Sequence, residues 1–269
     1  MKKVSYFPGC TLRTKAKELD FYARACAEKL GIELCEIENW QCCGGVFSSA
    51  KDEVASKLPS VRALVAAREN GEPLVSVCSA CHNVIKQTND AMQNDEEFAQ
   101  KVNLYMAQDE NAPAEYHGET EVLHYLELLR DYVGFDKIRE AVVNPLTGRR
   151  IGAYYGCLLL RPSKVMAFDD PENPQIIEDF IRALGADPVI YAYRNECCGG
   201  YVTLEDAALS KKKSNAVTNN ARENGAKTLV TVCPLCKYNL EKSGSDLPVV
   251  YFTELLAEAL GVKEDYHAE

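Results

Sequence analysis

Residues 71–86, GEPLVSVCSACHNVIK, recur at residues 225–240 as GAKTLVTVCPLCKYNL. In each copy, a short run of apolar and β-branched residues ends at a cysteine, and a Cys-x-x-Cys element then opens the following segment. This pattern predicts a buried strand that runs directly into a helix, with the two cysteines at the point where they join. Strands that alternate with helices along a chain are typical of an α/β domain with a parallel sheet.

The duplication extends over most of the chain. VSYFPGCTLRTKA resembles GAYYGCLLLRPSK, and ENWQCCGGV resembles RNECCGGY further along each copy. The ends of the copies, EVLHYLELLRDYVG and PVVYFTELLAEALG, also correspond. We therefore expect two repeats, residues 1–145 and residues 146–269, with the boundary near Asn144, Pro145 and Gly148.

Strands and helices alternate within each repeat. In the first repeat, VSYF is predicted to be a strand and residues 15–30 a helix. An acidic insertion near residues 94–121 is predicted to form a surface helix and then a loop with Asn111, Pro113 and Gly118. The expected fold is α/β, with two pseudo-symmetric Rossmann-like repeats, mainly parallel sheets, and iron–sulfur sites at the carboxyl ends of the strands.

Ten of the twelve cysteines recur at matched positions in the two repeats. In both repeats, 34 residues separate an adjacent cysteine pair from the Cys-x-x-Cys element. Free N–H groups at a helix start favour thiolates and sulfide, so the Cys-x-x-Cys element suits a metal site. The first set comprises Cys10, Cys42, Cys43, Cys78 and Cys81, and the second set comprises Cys157, Cys197, Cys198, Cys233 and Cys236.

The spacing favours an iron–sulfur centre in each repeat over zinc or a pure thiol redox centre, which both stay open. Zinc takes four protein ligands in a closed site, whereas each repeat offers five cysteines. A cubane 4Fe-4S cluster also takes four. The fifth cysteine is then either a spare thiol beside a cubane or a ligand to a less regular cluster. Cys26 and Cys35 have no repeat partners and are predicted to be small buried apolar side chains.

Composition and charge exclude several other classes of protein. With 269 residues and 46% apolar content, the chain is long enough to bury a substantial core. Its net charge of −10 argues against nucleic acid as the main partner, because such binding depends on neutralising phosphates. We identify no signal peptide and no apolar run long enough to span a bilayer. The sequence is therefore expected to be soluble and cytoplasmic.

The duplicated arrangement of cysteines resembles the cysteine-rich CCG domain family, and a two-repeat chain of this length resembles the B subunit of heterodisulfide reductase. The resemblance covers essentially the whole chain. It implies that each five-cysteine set binds one noncubane 4Fe-4S cluster and that the two clusters cleave a disulfide by delivering one electron to each sulfur. It also implies two partners that supply the electrons, the iron–sulfur C subunit of such a complex and its flavin-containing A subunit.

The resemblance implies a disulfide substrate, either the mixed disulfide of coenzyme M and coenzyme B or a related one. This chain has Gly44, Gly45 and Val46 after its first cysteine pair, where methanogen sequences carry a proline-containing segment. The particular disulfide is therefore not fixed by the resemblance. The alternative function is that of an electron-transfer protein that relays electrons between another redox enzyme and a flavin-containing subunit, without a disulfide substrate of its own.

Four side chains near the cysteines are candidate contacts for an anionic disulfide. Arg13, Arg161 and Lys164 follow the first cysteine of their repeat, and such cations bind sulfonate and phosphate groups. The alternative is a solvated helix start. His82 follows the first Cys-x-x-Cys element and is a candidate to donate a hydrogen bond to cluster sulfur or to pass a proton to a product thiolate. Its repeat counterpart is Lys237, so a surface position is an equal alternative.

Overall fold

The structure is a computed structural model that contains two four-stranded sheets. The described residues are 1–45, 54–109, 113–263 and 266. Val46, after the first glycine pair, and Asn111, in the predicted loop of the acidic insertion, lie outside these ranges. Within the described ranges, no helix combines the length and apolar content needed to cross a membrane.

The first sheet is built from strands β1 to β4 and is flanked by helices. Its elements are β1 Lys2–Phe7, α1 Cys10–Thr14, α2 Lys17–Lys29, β2 Ile32–Glu36, α3 Leu58–Asn70, β3 Leu74–Ser76, α4 Ser79–Asn94, α5 Glu96–Met106, β4 Val122–His124, α6 Tyr125–Glu127, a π-helix Leu128–Val133, and α7 Phe135–Ala141. Helix α5 falls in the acidic insertion, and Asp95 caps it by accepting a hydrogen bond from the backbone N–H of Phe98.

The second sheet repeats this order with a different set of helices. Its elements are β5 Arg150–Tyr154, α8 Ser163–Met166, α9 Ile176–Ala183, β6 Asp187–Val189, two 3₁₀ turns at Ala192–Asn195 and Gly200–Val202, α10 Ala207–Glu223, β7 Thr228–Thr231, α11 Pro234–Glu241, β8 Val249–Tyr251, and α12 Phe252–Leu260. The last helix ends at Gly261, whose left-handed φ of 72° suits a residue without a side chain.

The two sheets have the same topology. The strand order is β2-β1-β3-β4 in the first sheet and β6-β5-β7-β8 in the second, and all neighbouring strands run parallel. Parallel strands need helical connections, which explains why helices separate successive strands. The predicted α/β class with two parallel-sheet repeats is confirmed.

The two sheets share one apolar core. Buried side chains from both halves of the chain form a single contiguous cluster. Helix α12, near the end of the chain, packs against α2, and the Thr253 hydroxyl donates to the Leu19 carbonyl at 3.2 Å. The ring of Phe252 lies 5.9 Å from that of Tyr125. The ends of the two sheets are thus held together by apolar packing as well as by hydrogen bonds.

Two backbone carbonyls mark the centre of the junction between the sheets. They belong to Val77 and Val232, which directly precede the two Cys-x-x-Cys elements. The Tyr251 hydroxyl lies 2.7 Å from the Val77 oxygen and 3.0 Å from the Val232 oxygen. Ser79 also donates to the Val232 oxygen, from its backbone N–H at 3.3 Å and from its hydroxyl at 2.8 Å. We call this arrangement the carbonyl junction.

His124 completes the carbonyl junction from the first sheet. Its Nδ1 accepts a hydrogen bond from the Leu126 backbone N–H at 3.2 Å. A neutral ring with Nδ1 as acceptor carries its proton on Nε2, which lies 3.2 Å from the Val77 oxygen and donates to it. Burial lowers the pKa of His124 to about 4, so the ring is neutral at pH 7.

We expect Tyr251→Phe to lower the free energy of unfolding by about 0.5–1.5 kcal/mol, because it removes a buried hydroxyl while His124 and Ser79 still donate to the two carbonyls. Tyr105→Phe, on an exposed tyrosine of α5, is the control and should change stability by less than about 0.5 kcal/mol. Urea unfolding followed by circular dichroism measures both. Equal stability of Tyr251→Phe and the wild type would show that the hydroxyl contributes nothing to the junction.

Candidate metal centres

The cysteine elements of each repeat lie beyond the carboxyl ends of strands. In the first repeat, Cys10 begins α1 just after β1, and Cys42 and Cys43 follow β2. Cys78 follows β3 as the N-cap of α4. The second repeat has the same placement, with Cys233 as the N-cap of α11. Because parallel strands end at one edge of a sheet, cysteines that are distant in sequence come together there.

The first cysteine set lines a cavity of about 310 Å³. Its Sγ atoms approach one another in pairs, with 3.7 Å between Cys10 and Cys42 and 3.3 Å between Cys43 and Cys81. Cys10 and Cys42 are exposed, whereas the other three members of the set are buried. The set is therefore accessible from solvent on one side.

The second cysteine set is less accessible. Cys198 and Cys236 are buried, with 3.5 Å between their Sγ atoms. Cys157 and Cys197 are half-buried, and the Gly199 backbone N–H donates to the Cys197 sulfur at 3.3 Å. No member of this set is exposed, so the two sets differ in their access to solvent although their spacing is similar.

Hydrogen bonds between neighbouring thiols give these thiols different pKa values. Hydrogen bonds from Cys42 and Cys81 lower the pKa of Cys43 to about 3. Hydrogen bonds from two neighbouring cysteines likewise lower the pKa of Cys197 to about 2. One thiol of each adjacent pair is thus held as a thiolate at neutral pH, and the thiolate is the form that binds metals.

The two cysteine sets meet at the carbonyl junction. Cys78 and Cys233 influence each other's acidity: Cys233 raises the pKa of Cys78, and Cys236 together with Cys78 lowers that of Cys233. Each of these cysteines directly follows one of the two carbonyls that contact the Tyr251 hydroxyl. The Cys-x-x-Cys elements of the two repeats therefore lie next to each other at the junction.

The two glycines after each cysteine pair have different roles. Gly44 and Gly199, the first of each pair, have φ of 76° and 82°, a conformation that favours glycine. A Cβ on either second glycine, Gly45 or Gly200, would lie 3.5 Å from the Sγ of the cysteine two positions earlier. The absence of side chains here leaves the space beside those sulfurs free.

The donor set fits an iron–sulfur cluster in its chemistry. Cysteine thiolates are the usual ligands of such clusters, and all five cysteines of the first set line one cavity. Across the part of the chain that the structure describes, no three histidine, cysteine or carboxylate side chains are grouped as a site for a single metal ion. The fit therefore rests on the five-sulfur cavity and on the close sulfur pairs.

The arginine and lysine candidates for substrate contact do not line the cavity of the first set. Arg13 donates to Glu36 at 2.6 Å. Arg161 donates to Glu172 at 2.8 Å, on the exposed surface of the second repeat. Lys164 is also exposed. The structure thus gives both arginines acidic partners within the chain.

His82 is fully buried rather than on the surface. Its Nε2 lies 3.5 Å from the Glu127 carboxylate, which is also 3.6 Å from the ammonium of Lys86. The ring of His124 packs edge-on at 5.6 Å. Burial holds the pKa of His82 well below its usual range, so the ring is neutral at pH 7. His82 is therefore a buried neighbour of the first set.

Sequence reasoning missed the side chains that do line this cavity. Lys15 borders it from the first repeat, and Lys237 and Tyr238 border it from α11 of the second repeat. The ammonium of Lys237 lies 2.5 Å from the Glu241 carboxylate. The sequence feature that could have identified Lys237 is its position directly after the second Cys-x-x-Cys element.

Comparison with known families agrees with this geometry. Residues 4–86 and 151–241 match the family described as a cysteine-rich domain, CCG. The chain belongs to the cysteine-rich domain family. The two matched segments coincide with the two strand-and-cysteine repeats, so the family pattern occurs twice in this chain.

Curated relatives of this cysteine-rich chain are subunits of redox enzymes. It is 31% identical to the 8-methylmenaquinol:fumarate reductase membrane anchor subunit of Wolinella succinogenes, over 97% of this chain and 93% of that protein. It is 27% identical to the B subunit of the ferredoxin:CoB-CoM heterodisulfide reductase of Methanosarcina mazei, over 98% of this chain and 91% of that protein. The predicted resemblance to the B subunit of heterodisulfide reductase is confirmed.

A solved structure shares the fold of this cysteine-rich chain. A hypothetical protein from Helicobacter pylori superposes with a TM-score of 0.72 at 12% sequence identity. The match covers 97% of this chain and 49% of that one. At such low identity the likeness concerns the fold alone.

Gly9→Ala should destabilise the protein more than Gly31→Ala, although both glycines have similar positive φ values, 77° and 80°. A positive φ costs an alanine about 1–2 kcal/mol at Gly31. At Gly9 the backbone costs about 1–3 kcal/mol, because its ψ of 162° lies in a region that glycine occupies almost exclusively. Only at Gly9 would the new Cβ also lie 2.8 Å from the sulfur of Cys81, which adds about 1–3 kcal/mol of overpacking. Urea unfolding measures the difference, and equal losses would show that the sulfur moves aside freely.

Proposed function

We propose that each five-cysteine set holds one iron–sulfur cluster, of the noncubane 4Fe-4S type, and that this chain is the disulfide-reducing subunit of a heterodisulfide reductase-like complex. The relatives are redox subunits, which supports an electron-transfer role for this chain. The single observation that carries the finer proposal is the carbonyl junction, where the Tyr251 hydroxyl contacts the carbonyls directly before Cys78 and Cys233.

Reduction of a disulfide needs two electrons and two protons and yields two thiols. Iron–sulfur clusters, when bound, supply electrons one at a time. Two centres that meet in one protein match this requirement better than one centre, because each sulfur of the substrate then has an electron source nearby. The duplication of the five-cysteine set thus has a chemical reason.

The chain's own residues would bind and orient the disulfide at the open side of the first set. Lys15 and Lys237 border that cavity together with Glu18 and Glu241, and Lys237 pairs with Glu241. Lys15 is therefore the cation that we propose attracts an anionic group of a substrate. Leu19, Pro234 and Leu235 supply apolar walls, which exclude water from the sulfurs. The substrate class that suits this lining is an organic disulfide with an apolar portion and an anionic group, such as the mixed disulfide of coenzyme M and coenzyme B.

The complex would include further proteins that deliver the electrons. Two relatives are subunits of heterodisulfide reductases by name, which supports assembly with other subunits. We propose that an iron–sulfur C subunit is the direct donor and that a flavin-containing A subunit lies behind it. Cys10 and Cys42, the exposed cysteines of the first set, lie on the face where we propose that such a partner binds and shields the sulfurs from solvent.

A second candidate function keeps both clusters and has no disulfide substrate. The relative from Wolinella succinogenes is named for a menaquinol and fumarate reaction, in which no disulfide appears. By that comparison, this chain would relay electrons between another redox enzyme and a flavin-containing subunit. The two candidate functions share the cofactors and differ in whether a disulfide accepts the electrons.

The cofactor proposal predicts that one cysteine variant removes one centre. Anaerobically purified wild-type protein should contain iron and acid-labile sulfide, and Cys43→Ser or Cys198→Ser should each lose about half of both, because each removes a thiolate ligand from a single set. Cys35→Ser, on a half-buried cysteine outside both sets, is the matched control and should keep the wild-type content. Stoichiometric zinc without sulfide in the wild type would contradict the proposal.

Disulfide reduction is tested separately from cofactor content. The protein with both centres reduced should be mixed anaerobically with the mixed disulfide of coenzyme M and coenzyme B, and the free thiols should be separated and counted. Two thiols per disulfide, with reoxidation of the centres, is the expected result. Centres that stay reduced with this and with simpler disulfides would favour the relay instead.

A further inference from the structure

Glu36, the last residue of β2, connects two cysteine-bearing segments of the first repeat. Arg13 Nη2 donates to both of its carboxylate oxygens, at 2.6 and 2.8 Å. Trp40 Nε1 donates to the same carboxylate at 2.9 Å, and Arg24 donates to it at 2.6 Å. Arg13 lies three residues after the first cysteine, and Trp40 lies two residues before the adjacent cysteine pair. One carboxylate therefore joins the segments that carry Cys10 and the pair.

Helix α2 and strand β1 fix this carboxylate from the other side. Arg24 Nε donates to the buried Asp20 at 2.9 Å, and the Tyr6 hydroxyl donates to the other Asp20 oxygen at 2.7 Å. Tyr6 lies in β1 directly beside Glu36 in the sheet register. The Glu36 side chain thus has its position set by the sheet, so the loops bound to it are positioned relative to the sheet as well.

The second repeat makes a comparable connection with a residue from a different element. Glu178, on α9, accepts hydrogen bonds from the Tyr155 hydroxyl and from Arg194 Nη1, the latter at 2.5 Å. Tyr155 lies two residues before Cys157, and Arg194 lies three residues before Cys197. The Tyr155 backbone N–H also donates to the Arg194 carbonyl at 2.8 Å. In the second repeat one carboxylate thus ties the segment before the first cysteine, rather than the segment after it, to the segment before the pair.

We propose that Glu36 and Glu178 are positioning residues that set the distance between the first cysteine and the adjacent pair in each set. This inference rests on the proposed function, because it concerns the ligands of the proposed centres. Two carboxylates at unrelated sequence positions make comparable links, which points to a requirement of the site rather than to an inherited feature of the repeat. Charge-assisted hydrogen bonds suit this task because they are short and directional.

The hydrogen bonds of Glu178 are more deeply buried than those of Glu36. This difference predicts which substitution has the larger effect. The Glu178 and Arg194 side chains are 0% and 5% exposed, whereas those of Glu36 and Arg13 are 23% and 47% exposed. Water is able to replace part of a lost hydrogen bond at Glu36 but not at Glu178. Loss of the Glu178 carboxylate should therefore disturb its site more than loss of the Glu36 carboxylate.

Glu36→Gln and Glu178→Gln test the proposal, since both keep the side-chain shape and remove the charge. Glu33→Gln, on a half-buried residue of β2, and Asp179→Asn, on an exposed residue of α9, are matched controls from the same elements. Iron, acid-labile sulfide and the electron paramagnetic resonance spectrum of the reduced protein are measured for each. Spectra of Cys43→Ser and Cys198→Ser identify the contribution of each set.

We expect Glu36→Gln to lose or shift only the signal of the first set, approaching the spectrum of Cys43→Ser. Glu178→Gln should do the same to the second set, with up to about half of the iron lost. Both controls should match the wild type. Arg13→Gln removes the link to the Cys10 segment and leaves the Trp40 and Arg24 contacts of Glu36 in place. It should reproduce the change at the first set and replaces Glu36→Gln if that variant does not fold.

Metal-free protein gives an independent measurement. The rate at which iodoacetamide alkylates Cys10 and Cys42, followed by mass spectrometry, should rise in Glu36→Gln and stay unchanged in Glu33→Gln. Unchanged alkylation, iron and spectra in both Glu36→Gln and Arg13→Gln would overturn the positioning role while leaving the cofactor proposal intact. A wild type without iron and sulfide would instead refute the cofactor proposal on which this inference rests.

Discussion

The carbonyl oxygens of Val77 and Val232 are buried where the two sheets meet, and side chains of the protein satisfy both. The Tyr251 hydroxyl contacts both oxygens, His124 donates to that of Val77, and Ser79 donates to that of Val232. A buried carbonyl without a partner would cost about 1–3 kcal/mol. Each of these carbonyls directly precedes the cysteine that caps a helix. The hydrogen bonds that satisfy the junction therefore also fix where the two Cys-x-x-Cys elements stand relative to each other.

The junction brings together two repeats that are alike in topology and unlike in surroundings. Helix α11 of the second repeat forms one wall of the first set's cavity, and the Tyr201 hydroxyl donates to the Gly45 carbonyl at 2.5 Å. The first set nevertheless keeps two exposed sulfurs, whereas the second keeps none. The two sets thus differ in their access to solvent, although 34 residues separate the adjacent pair from the Cys-x-x-Cys element in both repeats.

The fold class and the clustering of cysteines could be predicted from the sequence because both follow from local patterns. A strand that ends in Cys-x-x-Cys predicts the helix start, and parallel strands bring such ends to one sheet edge. Cys26 is buried, as predicted, whereas Cys35, for which burial was also predicted, is half-buried. Contacts that depend on tertiary packing could not be predicted in this way. Arg13 was predicted to contact an anionic substrate, but Glu36 at the end of β2 is its partner in the structure. No sequence pattern indicated that Glu178 would contact Tyr155 and Arg194.

The buried thiols of both sets affect how a metal centre can bind, because some of them hold their protons at neutral pH. Hydrogen bonds and burial raise the pKa of Cys81 and of Cys236, so these thiols hold their protons at neutral pH. Cys43 and Cys197 are thiolates under the same conditions. A metal centre that uses all five sulfurs must displace the remaining protons, so its binding releases protons and strengthens as pH rises. The neighbouring thiolates lower this barrier because they offer a first ligand that is already deprotonated.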